Sequence, residues 1–347
     1  MQKVENKYPY KWNMATGYPK KKNGFKVFGT FVCGGGSTMG YKLAGFDHLG
    51  GVELTEHYSA LYQANHAPKH FYTQDIREFN NREDLPKELY NIDILDGSPP
   101  CSSFSTAGAR ERKWGKEKEY EGHTQKTDDL VFEYVKTIAK LKPKTFLMEN
   151  VSGLIKGNAK IYVKNIFIEL EKIGYTAQLF SLNAASMGVP QMRQRVFIIG
   201  SRKELMLPKL IMLFNEKQIS FEQATKEYWH LGGESIEAYA IFPLWKEINY
   251  PTETQHKKRF NLVRPALHRP CNTLTESSSK LGTAAVTHPL QPRILNKQEV
   301  QALQSYPMDY NFLDQRPASC IGRSVPPVMA AQISNQIYLQ WLSKLPK

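Results

Sequence analysis

The chain has 347 residues, long enough to bury the core of one large domain plus a smaller one and too long for a small binding module. Its 46 Lys and Arg against 33 Asp and Glu give a formal net charge of +13, an excess that favours a polyanionic partner such as nucleic acid, with solubility as the plain alternative. Cys33, Cys101, Cys271 and Cys320 form no CxxC pair and no zinc-type spacing, no apolar run is long enough for a membrane helix, and no apolar signal core opens the chain, so a cytoplasmic protein with free thiols and no structural metal is expected.

Residues 1–24 are polar, Lys-rich and aromatic without periodicity, and read as a basic, mobile N-terminal arm able to touch DNA. From residue 25 strands and helices alternate. The β-like FKVFGTFV leads through a glycine turn into the amphipathic YKLAGF, and GGVEL precedes the helix-like EHYSALYQANH. The strand IDILDGS then precedes the helix TDDLVFEYVKTIAKL, for which Thr127 or Asp128 is the expected cap. TFLMENV, AKIYVKNIFIELEKIG and RVFIIGSR continue as strand, helix and strand. Such alternation predicts an α/β fold whose mostly parallel sheet is covered on both faces. After residue 202 the alternation fades into a segment mixing Pro, His, Lys and aromatics, the candidate second domain. RSVPPVMAAQISNQIYLQWL closes the chain as a helix with Pro at its start.

In an open α/β sheet, ligands bind outside the carboxyl ends of the strands, and several chemically capable residues fall there. The cluster FVCGGGSTMG lets the backbone approach a ligand closely, although a tight turn alone would also use it. Glu53 follows about twenty residues later, where an acid accepts hydrogen bonds from a ribose. Asp75 ends the next strand-like piece, so an adenosine-containing cofactor is expected. Cys101 follows Pro99 and Pro100, which fix φ and stiffen the approach to the thiol; on a polar turn at the sheet edge it is a candidate nucleophile rather than core filler. Glu149 and Asn150 end a fourth strand, with helix capping as the alternative for the acid. Arg193 and Arg195 lie two apart in QMRQR, on one face if the strand begins there, and suit an acid or a phosphate.

In this order, SPPCSSFS, FLMENV, QMRQR, RILNKQEVQALQSYPMDY and IGRSVPPVMAAQI resemble the conserved blocks of the DNA (cytosine-5) methyltransferase family, over about residues 27–202 and 265–340. The resemblance implies a Rossmann-like S-adenosylmethionine-dependent methyltransferase fold with a smaller target-recognition domain. It implies a catalytic cofactor-binding domain over 25–202, target recognition over 203–312 including a closing motif, and a C-terminal segment, 313–347, returning to the catalytic domain. The implied catalytic residues are Cys101, Glu149, Arg193 and Arg195. Cys101 attacks carbon 6 of a cytosine flipped out of duplex DNA, Glu149 hydrogen-bonds ring nitrogen 3, and Arg195 holds the base's carbonyl oxygen and orients Glu149. The implied cofactor residues are Phe31, Gly35, Gly36, Glu53, Leu54, Asp75, Ile76, Pro100, Leu130, Arg323 and Ser324. Glu53 takes the ribose hydroxyls, Asp75 the adenine amino group, and Phe31, Leu54 and Ile76 the adenine faces. The expected partners are double-stranded DNA and a cognate restriction enzyme, with no membrane and a monomeric chain.

The chain departs from the family pattern at four places. Gly29 stands where the family has an acid before the turn, Cys33 replaces the turn's first glycine, and Ser102 replaces a glutamine after the cysteine. Arg323 replaces the asparagine of a Gly-Asn pair beside the cofactor's methionine end. A guanidinium beside a sulfonium repels it unless paired with a carboxylate, so Arg323 either grips the cofactor's own carboxylate or swings out to DNA phosphate, or it pairs with an extra carboxylate on the transferred group, as in carboxy-S-adenosylmethionine; the last would make the enzyme a carboxymethyltransferase. An inactive DNA-binding relative is the alternative of another class, and Cys101, Glu149 and Arg195 together argue against it.

Overall fold

The computed structural model describes residues 4–100, 118–120, 123–125, 129–157, 159–259, 261–280 and 284–346. Cys101, Ser102, Thr127 and Asp128 lie outside the described residues. The chain divides into two compact units: a sheet unit of residues 19–182, 194–212 and 333–347, and a second unit of 1–18, 183–193 and 213–332.

The sheet unit follows the expected alternation. Its elements are β1 (Lys26–Thr30), α1 (Gly36–Leu43), β2 (Asp47–Glu53), α2 (Glu56–His66), β3 (His70–Thr73), α3 (Ile76–Asn81), β4 (Ile94–Gly97), α4 (Leu130–Leu141), β5 (Thr145–Val151), α5 (Ala159–Lys172), β6 (Tyr175–Asn183) and β7 (Gln194–Arg202). The strand order is β3-β2-β1-β4-β5-β7-β6, so the winding reverses between β1 and β4. β1, β2, β3, β4 and β5 pair in parallel, whereas β7 runs antiparallel to β5 in a register from Arg195↔Val151 to Ser201↔Thr145. β6 had no counterpart in the sequence reading, because it is a mostly half-exposed edge strand without a clear apolar alternation.

Packing explains the helices. α4 buries Leu130, Val131, Tyr134, Val135, Ile138 and Leu141 at helical spacing, and these join Leu95, Phe146, Met148 and Ile198 of the sheet in one core. The residue at the N-cap position of α4 is Asp129, whose carboxylate makes no capping bond and instead pairs with Arg77 at 2.7 Å. α1 begins at Gly36, five residues ahead of the sequence YKLAGF.

The second unit holds a small sheet of Leu262–Val263, Ser279–Lys280 and Ala284–Val286 over a core containing Ile236, Ile241, Trp245 and Ile248. Helix Lys297–Leu303 starts with a capping box of Asn296 and Glu299, and Glu299 also accepts two 2.8 Å bonds from buried Arg293. The N-terminal segment is a correction to the mobile arm expected from its composition, since residues 4–18 belong to this unit. Trp12 is buried and donates its indole N–H to the Ser305 carbonyl at 2.9 Å, and the N–H groups of Met14 and Ala15 bond the Asp309 carboxylate. Isolated anchors of this kind carry no periodicity.

Candidate active site

The carboxyl edge of β1, β2, β4 and β5 collects most of the residues singled out in the sequence. After β1 the chain turns through Phe31 and Cys33, both left-handed at φ 55° and 47°, to Gly35 at φ 81°. Glycine is required at 35, because an added Cβ would lie 2.1 Å from Nε2 of His66. Glu53, at the end of β2, is buried and fixes this turn: Oε2 accepts the Cys33 N–H at 2.9 Å, and Oε1 accepts the N–H groups of Leu54 and Thr55. Burial pushes the Glu53 carboxyl up even though these donors favour its charged form. Ile76 and Leu130 are buried, and Phe31 packs half-buried against the same core. Asp75 caps α3 by accepting the Arg77 N–H at 2.7 Å and pairs with the Arg77 guanidinium at 3.1 Å.

At the neighbouring strand ends, Arg195 Nε meets Glu149 Oε1 at 3.0 Å, and both side chains are largely buried. The strand register explains the meeting, since Arg195 lies opposite Val151 and Glu149 opposite Phe197 on the antiparallel β5 and β7 pair. The turn Ser152–Ile155 that follows β5 has Val151 at its N-cap position and no side-chain cap, so Glu149 is not a capping acid. Asn150 is buried and spans the strand end: its Nδ2 donates to the Pro99 carbonyl at 3.2 Å, and its Oδ1 accepts the Val151 N–H. Asn150 therefore fixes the backbone two residues before Cys101, a role that its sequence block did not disclose.

Arg193 and Arg195 have separate tasks. Arg193 lies in the second unit and is 1% exposed, with its guanidinium donating to the carbonyls of Leu274, Gly322 and Ser324 at 2.8, 3.0 and 3.0 Å. The expected common face does not form, because β7 begins at Gln194. Also in the second unit, Arg323 pairs through Nε and Nη2 with Glu276 Oε2 at 3.1 and 3.0 Å. The Ser324 hydroxyl accepts from Tyr306 and donates to the Cys320 carbonyl.

Residues 25–339 match the family described as C-5 cytosine-specific DNA methylase, 315 of the 347 positions. The chain belongs to that family. The methylase is 26% identical over 336 residues to the Type II methyltransferase M1.HphI of Haemophilus parahaemolyticus, covering 88% of this chain and 85% of the relative. It is 28% identical to the Type II methyltransferase M.Sau96I of Staphylococcus aureus, covering 96% and 80%. A crystal structure of a Spodoptera frugiperda DNMT2 variant superposes with a TM-score of 0.64 at 16% identity, covering 90% of the methylase and 99% of that chain. The fold is that of S-adenosylmethionine-dependent C5 methyltransferases, and the enzyme is a DNA cytosine-C5 methyltransferase. No described helix of the methylase is long and apolar enough to cross a membrane.

Asn150→Ala tests the tie to the proline turn. Loss of the Pro99 bond is expected to lower kcat by roughly tenfold to a hundredfold with cofactor affinity unchanged, as misplacing a reacting group does. Equal kcat in single-turnover assays would remove that role.

Proposed function

We propose that the methylase flips a target cytosine out of double-stranded DNA and modifies carbon 5 through a covalent adduct on Cys101. The supporting observation is the buried Glu149–Arg195 pair at adjacent strand ends, with neighbouring Asn150 fixing Pro99 two residues before Cys101. Carbon 5 of cytosine is a weak nucleophile. The Cys101 thiolate attacks carbon 6, and the electron pair displaced toward carbon 5 makes that atom reactive. Glu149 donates a hydrogen bond to ring nitrogen 3 as charge develops there, while Arg195 holds Glu149 and the carbonyl oxygen of the base. S-adenosylmethionine, when bound, supplies the electrophilic methyl group for carbon 5. Loss of the carbon 5 proton to a base or water then breaks the bond between Cys101 and carbon 6.

The sheet unit suits that cofactor chemically. Glu53 lies where ribose hydroxyls meet a strand-end acid, Ile76 and Leu130 offer apolar faces, and Pro100 precedes the nucleophile. Arg323 and Ser324 would serve the methionine end. Methyl rather than carboxymethyl transfer is favoured, because Arg323 has a carboxylate of its own chain in Glu276 and needs none from the transferred group. The Type II methyltransferases among the relatives suggest a restriction-modification role with a cognate restriction enzyme, and we propose a monomer acting on DNA inside the cell.

Incubation with labelled S-adenosylmethionine and either duplex DNA or RNA tests the reading. Label is expected in DNA, as 5-methylcytosine by nucleoside mass spectrometry. Label confined to RNA would overturn it, and carboxymethylcytosine formed from the carboxylated cofactor would revive the carboxymethyl alternative.

A further inference from the structure

Asp96, the third residue of β4, is 2% exposed at the point where the sheet reverses its winding. It stands in register beside Gly29 of β1, the position where the family carries its strand acid. Parallel partners point to the same face of a sheet, so a carboxylate at 96 serves the region that one at 29 would. Position 29 itself is closed to a side chain: an added Cβ would lie 2.5 Å from Cγ1 of Val32.

The carboxylate is held firmly. Oδ2 accepts the Ser37 hydroxyl at 2.6 Å and Oδ1 the Tyr41 hydroxyl at 3.2 Å, both from α1 directly after the glycine turn. The Asp96 carbonyl accepts from Thr30 at 3.2 Å, which ties β4 to the end of β1. Its partners among the described residues are thus two hydroxyls and the Gly97 N–H rather than cations. The charged neighbour that acts on it, Glu149 of β5, is of the same sign, and the other titratable groups coupled to it are the phenols of Tyr41 on α1 and Tyr134 on α4. A buried carboxylate without a cation is costly to ionise, and a cationic ligand in the crevice removes that cost.

We infer that Asp96 is the counter-charge for the cationic methionine end of the cofactor, transferred from β1 to the adjacent strand β4. The inference rests on the reading that this crevice binds S-adenosylmethionine. Two sources of cation share the chemistry, the sulfonium and the α-ammonium, and S-adenosylhomocysteine, which keeps only the ammonium, separates them. Burial raises the Asp96 carboxyl to about 7, so protons compete with the ligand near neutrality.

The test is calorimetric binding of both ligands to the full chain and to Asp96→Asn, which retains an acceptor for the hydroxyls. At about pH 8 the substitution is expected to weaken S-adenosylmethionine by about tenfold or more, the scale of one charge-assisted contact. Equal weakening of S-adenosylhomocysteine assigns the contact to the ammonium, and no weakening of it assigns the sulfonium. Below about pH 7 wild-type affinity falls further with each unit than that of Asp96→Asn, while the ligand's own amino group titrates identically in both. Tyr41→Phe, which removes a donor and leaves the acid, is expected to move the wild-type binding midpoint to higher pH. Unchanged affinity and pH profile in both variants would overturn the inference and leave Asp96 as a structural acceptor. Failure of the wild-type chain to bind either ligand would instead overturn the cofactor reading itself.

Discussion

Cys101→Ala is expected to abolish methyl transfer to DNA, and Glu149→Gln to lower it by roughly two to four orders of magnitude. The two losses differ in kind. Without the thiolate no adduct forms, and nothing else in the proposed mechanism supplies electron density at carbon 5. Glutamine at 149 keeps a hydrogen-bond donor for ring nitrogen 3 but has no proton to share as charge develops. It also removes the anion opposite Arg195, leaving a guanidinium with 13% side-chain exposure without that partner. DNA and cofactor affinity are expected to hold within a few-fold for Cys101→Ala, measured by fluorescence anisotropy and calorimetry, so that the loss lies in kcat. Turnover by Cys101→Ala at more than about a hundredth of the wild-type rate would exclude covalent catalysis through this residue.

Arg193→Ala is expected to destabilise the protein by on the order of 3–5 kcal/mol, because it strands three buried carbonyls that now accept from one guanidinium. For a unit of this size that corresponds to a fall in Tm of roughly 10 °C in scanning calorimetry. Arg195→Ala also costs stability, because it leaves the buried Glu149 carboxylate without its partner, and in the protein that remains folded it is expected in addition to reduce kcat by about a hundredfold or more. The two arginines lie two apart in one five-residue block, so the contrast is a sharp test. Equal effects of the two substitutions on both Tm and kcat would contradict the separate tasks described above.

Much of the sheet unit was legible because its signals are local. Buried strands such as TFLMENV and RVFIIGSR are apolar runs bounded by turns, α4 carries a helical stripe, and the acids Glu53 and Glu149 end their strands. The contacts that the sequence did not disclose act over distance. Asn150 reaches back 51 positions to Pro99, and Arg193 reaches 81, 129 and 131 positions forward. Gly29 was visible as a departure, but its relation to Asp96 exists only in the pairing of β1 with β4. Trp12 and the amides of residues 14 and 15 depend on Ser305 and Asp309, nearly three hundred positions away, so composition alone suggested a loose arm.

The Arg193 clasp also constrains the order in which the protein comes into being. The guanidinium must wait for Leu274, Gly322 and Ser324 to be synthesised, whereas the strands from β1 to β5 can pair once residue 151 has left the ribosome. The core around Ile236, Trp245 and Ala285 lies within residues 236–294, so the clasp, and not that core, waits for the last part of the unit. A chain cut short before Gly322 therefore lacks two of the three acceptors of the clasp, and one cut before residue 333 lacks the last segment of the sheet unit as well.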